Sequence, residues 1–251
     1  MRPPLRRFLS RESLIVFAAL SAAALLAWAW LLRSAGSAAN MGTMAMAPPL
    51  SAAYLFPAFA MWAIMMVAMM VPSAAPMFLL HARIDRGPTQ ARRSLHSLLF
   101  ASGYLLVWTA FSAAAALAEA LLVKSGAVVA ASLALGNSTI AAALLLSAAA
   151  YELTAAKEHC LDKCQSPLLF VLEHWKPGAT GAFRLGLAHG RYCLGCCWVL
   201  MLLLFAGGVM NLAWVALLGL VVIGEKLAPP KLHANLIVAL ALIVGAMVVV
   251  R

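Results

Sequence analysis

Long apolar segments separated by short polar loops constrain the fold of this chain more than any other feature. The first segment, Leu14 to Leu32, is long enough to cross the hydrocarbon core of a bilayer as a helix. Hydrophobic residues make up 65% of the chain and charged residues 10%, whereas soluble domains carry about 25% charged residues. The sequence therefore predicts an all-α, polytopic membrane helix bundle of about seven transmembrane helices, the later ones near residues 54–80, 95–123, 137–156, 180–207, 212–223 and 233–250.

The basic residues indicate how this bundle is oriented. If the N-terminus is cytoplasmic, the outer segments contain Arg33, Lys124 and Arg251, and the inner segments contain nearly all the other lysines and arginines. This positive-inside bias predicts a multi-pass protein of the bacterial inner membrane with a cytoplasmic N-terminus. The net charge of +10 is then a topology signal, and the lipid bilayer rather than a nucleic acid is the expected partner.

We expect residues 1–251 to form a single membrane domain. Residues 1–53 supply an N-terminal helix and a methionine-containing outer loop, residues 54–231 the motif-bearing core, and residues 232–251 the last helix. Cleavage of the first helix as a signal peptide is the alternative, because small residues follow it at positions 37–39.

One short stretch, residues 189–198, combines a histidine with three cysteines. On a helix, His189, Cys193, Cys196 and Cys197 share one face, because they stand at positions i, i+4, i+7 and i+8. Thiolates and imidazole are ligands for soft or borderline metals such as Cu(I) and Zn(II). A single membrane cysteine is more often a small buried hydrophobe, but the combination favours a metal site.

A second cluster precedes it on a polar loop between helices four and five. His159, Cys160 and Cys164 lie on the same inner side as the start of helix five, so we expect one metal site built from both clusters. Arg184 and Arg191 need partners at membrane depth, and the available acids are Glu152 and Glu225.

Methionines form two stripes along the second helix. Met61, Met65 and Met69 stand at i, i+4 and i+8, and a second stripe contains Met66, Met70 and Met77. Thioethers suit Cu(I), and the first stripe is predicted to contribute to a metal path. Packing alone is the alternative, because methionine fills irregular helix interfaces well. Met41, Met44 and Met46 in the outer loop suggest a further thioether site.

Several motifs together resemble a bacterial family of integral membrane proteins described as predicted metal-binding proteins. They are Met61-Trp62-x-x-Met65-Met66-x-x-Met69-Met70-x-Pro72-Ser73-Ala74-Ala75-Pro76-Met77, His159-Cys160-Leu161-x-x-Cys164-x-Ser166-Pro167, the stretch from Gly186 to Met201 with its His189-Gly190-x-Tyr192-Cys193-x-Gly195-Cys196-Cys197-Trp198, Gly208-x-Met210-Asn211, and Glu225-Lys226. The resemblance covers roughly residues 55–230 and departs from the family pattern at Gln165 and Leu185. It implies a membrane fold and a metal, and no substrate.

The leading hypothesis is a protein that binds a soft metal, with copper as Cu(I) the expected ion, and transports it or delivers it to a partner protein. Zn(II) is the other candidate metal. A membrane thiol-disulfide oxidoreductase using Cys160/Cys164 and Cys193/Cys196 is the first alternative, and a redox-metal or haem-bearing membrane subunit is the second. The leading hypothesis does not require that the protein be an enzyme.

Overall fold

Helices make up almost all of the described chain, which confirms the predicted all-α class. The computed structural model describes residues 11–35, 47–85, 87, 89–129, 132–229 and 232–250. The helices are α1 (Arg11–Ala35), α2 (Ala52–Ile84), α3 (Gln90–Lys124), α4 (Ser138–Glu152), α5 (Ala155–Gln165), α6 (Pro167–His174), α7 (Gly178–Leu202), α8 (Leu204–Gly207), α9 (Leu212–Leu227) and α10 (Ala234–Val250). A small antiparallel pair, β1 (Val128–Val129) and β2 (Ala134–Leu135), lies between α3 and α4, with Val128 opposite Leu135.

Short polar side chains begin several of these helices. The Thr89 hydroxyl accepts from the Arg92 amide at 3.3 Å, and the Asn137 side chain accepts from the amides of Thr139 and Ile140. Asn211 accepts from the Trp214 amide at 3.2 Å. Such caps satisfy amides that have no partner inside the helix, so the helix starts are encoded locally.

Four helices in the described chain are long and apolar enough to cross a membrane, namely those spanning 13–34, 52–84, 90–124 and 178–207. The pair α4 and α5 would give a fifth span, bent by 66° at residues 153–154. The last helix, α10, is apolar but shorter. The seven spans and the cytoplasmic N-terminus predicted from the sequence stay predictions, and Met41, Met44 and Met46 lie outside the described residues.

The core of the bundle is formed by α2, α3 and α7, with α5 and α9 packed beside them and α1 and α10 outside. Two glycines let α3 and α7 approach closely. A Cβ on Gly103 would lie 2.3 Å from the Phe183 carbonyl oxygen, and one on Gly186 would lie 2.0 Å from the Phe100 carbonyl oxygen. This contact places the cysteine-bearing helix α7 directly against α3.

The structure corrects one element of the sequence prediction. Residues 159–164 belong to helix α5 and not to a polar loop. Thr154 caps the start of this helix, because its side chain accepts from the Lys157 amide at 3.3 Å. Lys157 and Leu161, one turn apart, face the core. Polar composition suggested a loop, but here the polar side chains cover one face of a short helix.

Candidate metal centre

Helix α7 carries the central part of the site, as the sequence spacing predicted. His189, Cys193, Cys196 and Cys197 are all buried, and the chain is helical throughout this stretch. The Sγ atoms of Cys196 and Cys197 both donate to the Cys193 carbonyl oxygen, at 3.1 and 2.9 Å. The two consecutive thiols are therefore held close to the same point on the helix.

Helix α5 brings a fourth thiol to this group. The Sγ atoms of Cys164 and Cys196 lie 4.0 Å apart. Cys160, one turn earlier, packs against α7 at Gly195, where an added Cβ would come within 2.7 Å of the Cys160 Sγ. The predicted meeting of the two cysteine clusters is thus present, and the absence of a side chain at Gly195 allows the approach.

Helix α2 contributes a thioether from the second methionine stripe. The Sδ of Met70 lies 3.9 Å from the Sγ of Cys197. The same turn of α2 is fixed to α3, because the Tyr104 hydroxyl donates to the Met70 carbonyl oxygen at 3.0 Å. The site therefore contains two neighbouring sulfur pairs, Cys164 with Cys196 and Cys197 with Met70.

A buried lysine, which sequence reasoning did not assign to the site, contacts the remaining thiol. The Nζ of Lys226 lies 2.9 Å from the Cys193 Sγ and donates to the Ser73 hydroxyl at 2.9 Å. The Tyr104 hydroxyl lies 3.1 Å from the same sulfur. The sequence predicted a helix that ends near residue 223, but α9 continues to Leu227 and so includes Lys226. The sequence signal that could have identified Lys226 as a site residue is Glu225-Lys226, one of the motifs that carry the family resemblance.

His189 lies on the same buried face of α7 as the cysteines, but its ring nitrogens make no hydrogen bond in the described chain. Both ring nitrogens are buried. The ring lies among aromatic neighbours, 5.5 Å from the Tyr104 ring and 5.6 Å from that of Phe170. Buried polar atoms are seldom left unpaired, and each exception calls for an explanation such as a bound ion.

A cavity of about 260 Å³ opens beside these residues. Its walls come from α2, α5, α7 and the end of α9, and they include Ser73, Met77, Cys164, His189, Lys226 and Pro229. Of the four paired sulfur residues only Cys164 lines this cavity, together with the unpaired His189 and Lys226, so a small ion entering it would meet these three side chains first.

The structure does not bring every predicted ligand into this group. His159 is exposed, and its ring packs against Tyr192 at a centroid distance of 6.0 Å. Met61, Met65 and Met69 are buried in the core, where Met69 packs against Gly219 of α9. Their assignment as metal ligands stays a prediction.

The predicted partners of the arginines on α7 were wrong. Arg184 and Arg191 are exposed, whereas the buried carboxylates of Glu152 and Glu225 both pair with Lys157 of α5. The sequence placed Lys157 near a loop, so its burial was not foreseen.

The spacing of the sulfur atoms suits a shared soft metal. Two sulfurs that each bind one ion at about 2.3 Å stand roughly 4 Å apart, and both pairs here have separations of 4.0 and 3.9 Å. Within the described residues, no group of three or more His, Cys, Asp or Glu side chains is arranged to hold a metal ion. The two sulfur pairs are therefore candidate binding points for a soft ion.

Comparison with known proteins points the same way. Residues 59–249 match the family model PpoB2, described as a copper chaperone. No curated protein and no solved structure gives a significant match. The matched region contains Met70, the two cysteine clusters, His189 and Lys226. Because the match spans most of the sequence, this chain belongs to the PpoB2 copper chaperone family.

Proposed function

We propose that the protein is a multi-pass membrane protein of the bacterial inner membrane that binds Cu(I) and delivers it to a partner protein. Family membership supports copper as the cargo. Membrane-length helices support the location, as do the large apolar side chains on the outside of the bundle, such as Leu26 of α1 at 71% exposure and Val248 of α10 at 67%. The basic inner segments favour an N-terminus inside.

The observation that carries the proposal is the pair of adjacent sulfur contacts. Cys164 and Cys196 would bind Cu(I) as thiolates, and Cys197 with Met70 would offer a second pair. Soft sulfur ligands select Cu(I) over harder divalent ions. The Met70 thioether is neutral, so we expect the second pair to be weaker. Two neighbouring sulfur pairs of different Cu(I) affinity would let the ion pass from one pair to the other. Delivery to a partner protein requires such stepwise exchange.

The surrounding residues would adapt the site to a charged cargo. The Lys226 ammonium contacts Cys193 and compensates negative charge on the thiol cluster, which a buried thiolate needs. His189 has two unpaired ring nitrogens at the same cavity and would supply a further ligand as Cu(I) enters or leaves.

Cu(I) fits this set better than Zn(II). Structural zinc is almost always bound by four ligands in a tetrahedron, and the described residues contain no metal-fitting group of even three His, Cys, Asp or Glu side chains. We therefore expect Zn(II) to bind more weakly than Cu(I).

A thiol-disulfide oxidoreductase is the second candidate, supported by the 4.0 Å separation of the Cys164 and Cys196 sulfurs. Closing that gap to a disulfide would need only a small movement. This function predicts that an oxidised form with a Cys164–Cys196 bond is recovered and that partner thiols exchange with it.

Competition with a chromogenic Cu(I) chelator tests the proposal. The purified full-length protein in detergent, kept reduced, is expected to take Cu(I) from the chelator and return it when a stronger chelator stands in for the partner. A Cys164→Ser/Cys196→Ser variant should lose most of this binding. Equal binding by both proteins would contradict the proposal, and partner-trapped mixed disulfides without Cu(I) binding would favour the oxidoreductase.

A further inference from the structure

Three ionisable side chains meet inside the bundle, away from the cavity at the thiols. Lys157 of α5 pairs with Glu152 of α4 and with Glu225 of α9. The side chains are at most 3% exposed. Two carboxylates facing one ammonium would leave a net negative charge in a low-dielectric interior. Desolvation and the second carboxylate both oppose ionisation of such a pair.

The geometry distinguishes the two carboxyl groups. Lys157 Nζ donates to both oxygens of Glu225 at 2.9 Å, a symmetric arrangement suited to an ionised carboxylate. Glu152 meets the ammonium through one oxygen, Oε2, whereas Glu225 meets it through both oxygens. Glu152 is thus the group less well supported as an anion.

We propose that Glu152 is a proton-binding site, neutral at physiological pH, in a triad that holds one ammonium, one carboxylate and one carboxylic acid. Among the described residues, the remaining titratable groups on the packed elements do not supply a second cation to it. Lys226 is turned to Cys193 and Ser73, Tyr151 donates to the Gly195 carbonyl oxygen, and Cys160 and Cys196 can add only negative charge. The facing residue of α10, Asn235, is an uncharged amide that donates to the Glu152 carbonyl oxygen.

The proton on Glu152 lies at a point where its loss would affect several helices. Glu152 is the last residue of α4, directly before the 66° bend into α5. Glu225 precedes Lys226, the lysine at the thiols, on the same helix. Loss of the proton would place an uncompensated charge at the bend and beside the helix that carries Lys226, so protonation of Glu152 acts on the elements that bear Cys164 and Lys226.

Infrared difference spectroscopy of the copper-free, full-length protein tests the proton directly. At neutral pH the wild type minus Glu152→Gln spectrum should contain the C=O stretch of a protonated carboxyl, shifted by H/D exchange. Glu225→Gln should also abolish this band, because Glu152 then becomes the sole anion facing Lys157. The matched control is Glu119→Gln, whose buried carboxylate accepts from Tyr54 and Trp62 outside the triad, and it should leave the Glu152 band in place.

Loss of carboxylate bands instead of the acid band in Glu152→Gln would overturn the proposal. So would failure of Glu152→Gln to fold, because a neutral amide should replace a neutral acid without penalty. Neither result depends on copper binding, so the proposal about the proton on Glu152 and the proposal about Cu(I) delivery are tested independently.

Discussion

At the scale of single residues, the site depends on which methionine faces the cysteines. Met65 and Met70 are both 1% exposed on α2, but it is Met70 whose Sδ lies 3.9 Å from Cys197. The helical periodicity of the sequence indicates two methionine stripes, but it does not show which stripe faces the cysteines. The rotation of α2 about its axis is set by its packing against other helices, including that of Met69 against Gly219, and such contacts are not readable from spacing.

Met70→Leu should therefore weaken Cu(I) binding, whereas Met65→Leu should not. Leucine conserves volume, so both variants should lose less than about 1.5 kcal/mol of stability. We expect Cu(I) affinity to fall at least about tenfold for Met70→Leu, the size that loss of supporting groups alone has at other metal sites. Chelator competition measures this, and equal affinities for the two variants would remove Met70 from the site.

His189 provides a second test at this scale. Its unpaired ring nitrogens make no hydrogen bonds that a leucine would lose, and a buried unsatisfied polar group costs about 1–3 kcal/mol. His189→Leu should keep or raise the thermal stability of the copper-free protein and lower its Cu(I) affinity. Thermal unfolding with and without Cu(I) separates the two effects. Reduced stability with unchanged affinity would show that the imidazole serves packing alone.

At the scale of elements, the close contact of α3 and α7 positions the thiols. Gly186→Ala would drive a Cβ into the Phe100 carbonyl, and overpacking typically costs about 1–3 kcal/mol. The displacement lies one to three turns from His189 and the cysteines, so Cu(I) affinity should fall as well. Gly245→Ala on α10 is the control, because nothing lies within 4 Å of its added Cβ. A Gly186→Ala protein with unchanged melting temperature and affinity would refute this role.

The triad at the bend makes a separate prediction about how α4, α5 and α9 are held together. Lys157→Met leaves a buried carboxylate without its cation, and breaking a buried pair costs about 3–5 kcal/mol. The loss should shrink as the pH falls, because protonation removes the uncompensated charge. Thermal unfolding as a function of pH measures both effects.

Lys163→Met, on the same helix, is the control for this variant. Lys163 pairs with the exposed Glu173 at 2.6 Å, and its hydrogen bond lowers the pKa of that carboxyl. The small contribution of this pair is present above the ordinary pKa of a glutamate and is lost as the pH falls through the lowered value. Equal destabilisation by Lys157→Met and Lys163→Met would contradict a special role for the buried triad.

The arrangement of α7 could be predicted from the sequence, whereas helix α5 could not, and the difference has a physical cause. The shared buried face of His189 and the three cysteines on α7 was predictable, because helical spacing alone brings them together. Helix α5 was not predicted, because its charged and polar residues are typical of a loop. Only the folded structure shows that Lys157 is buried and pairs with Glu152 and Glu225. Glu152 is near Lys157 in the sequence, but Glu225 lies 68 residues away, and Lys226 lies 33 residues from Cys193. Long-range pairing of buried charges has no local signal.

At the scale of the whole molecule, an apolar bundle surrounds a small polar interior. The exposed surface of α1 and α10 is rich in leucine and valine, whereas sulfur, lysine and carboxylate groups meet inside. This distribution reverses the pattern of soluble proteins and matches the rule that ionisable groups in membrane helices face the bundle interior and mark functional paths. The family match covers residues 59–249, and therefore all of this architecture except α1 and the first residues of α2.

The most direct test of the central claim is the copper K-edge X-ray absorption spectrum of the purified protein loaded with one equivalent of Cu(I). We expect a Cu(I) edge with a first shell dominated by sulfur, and partial replacement of that shell by lighter ligands in the Cys164→Ser/Cys196→Ser variant. A shell of oxygen and nitrogen alone in the wild type, or a spectrum unchanged by the double substitution, would contradict it.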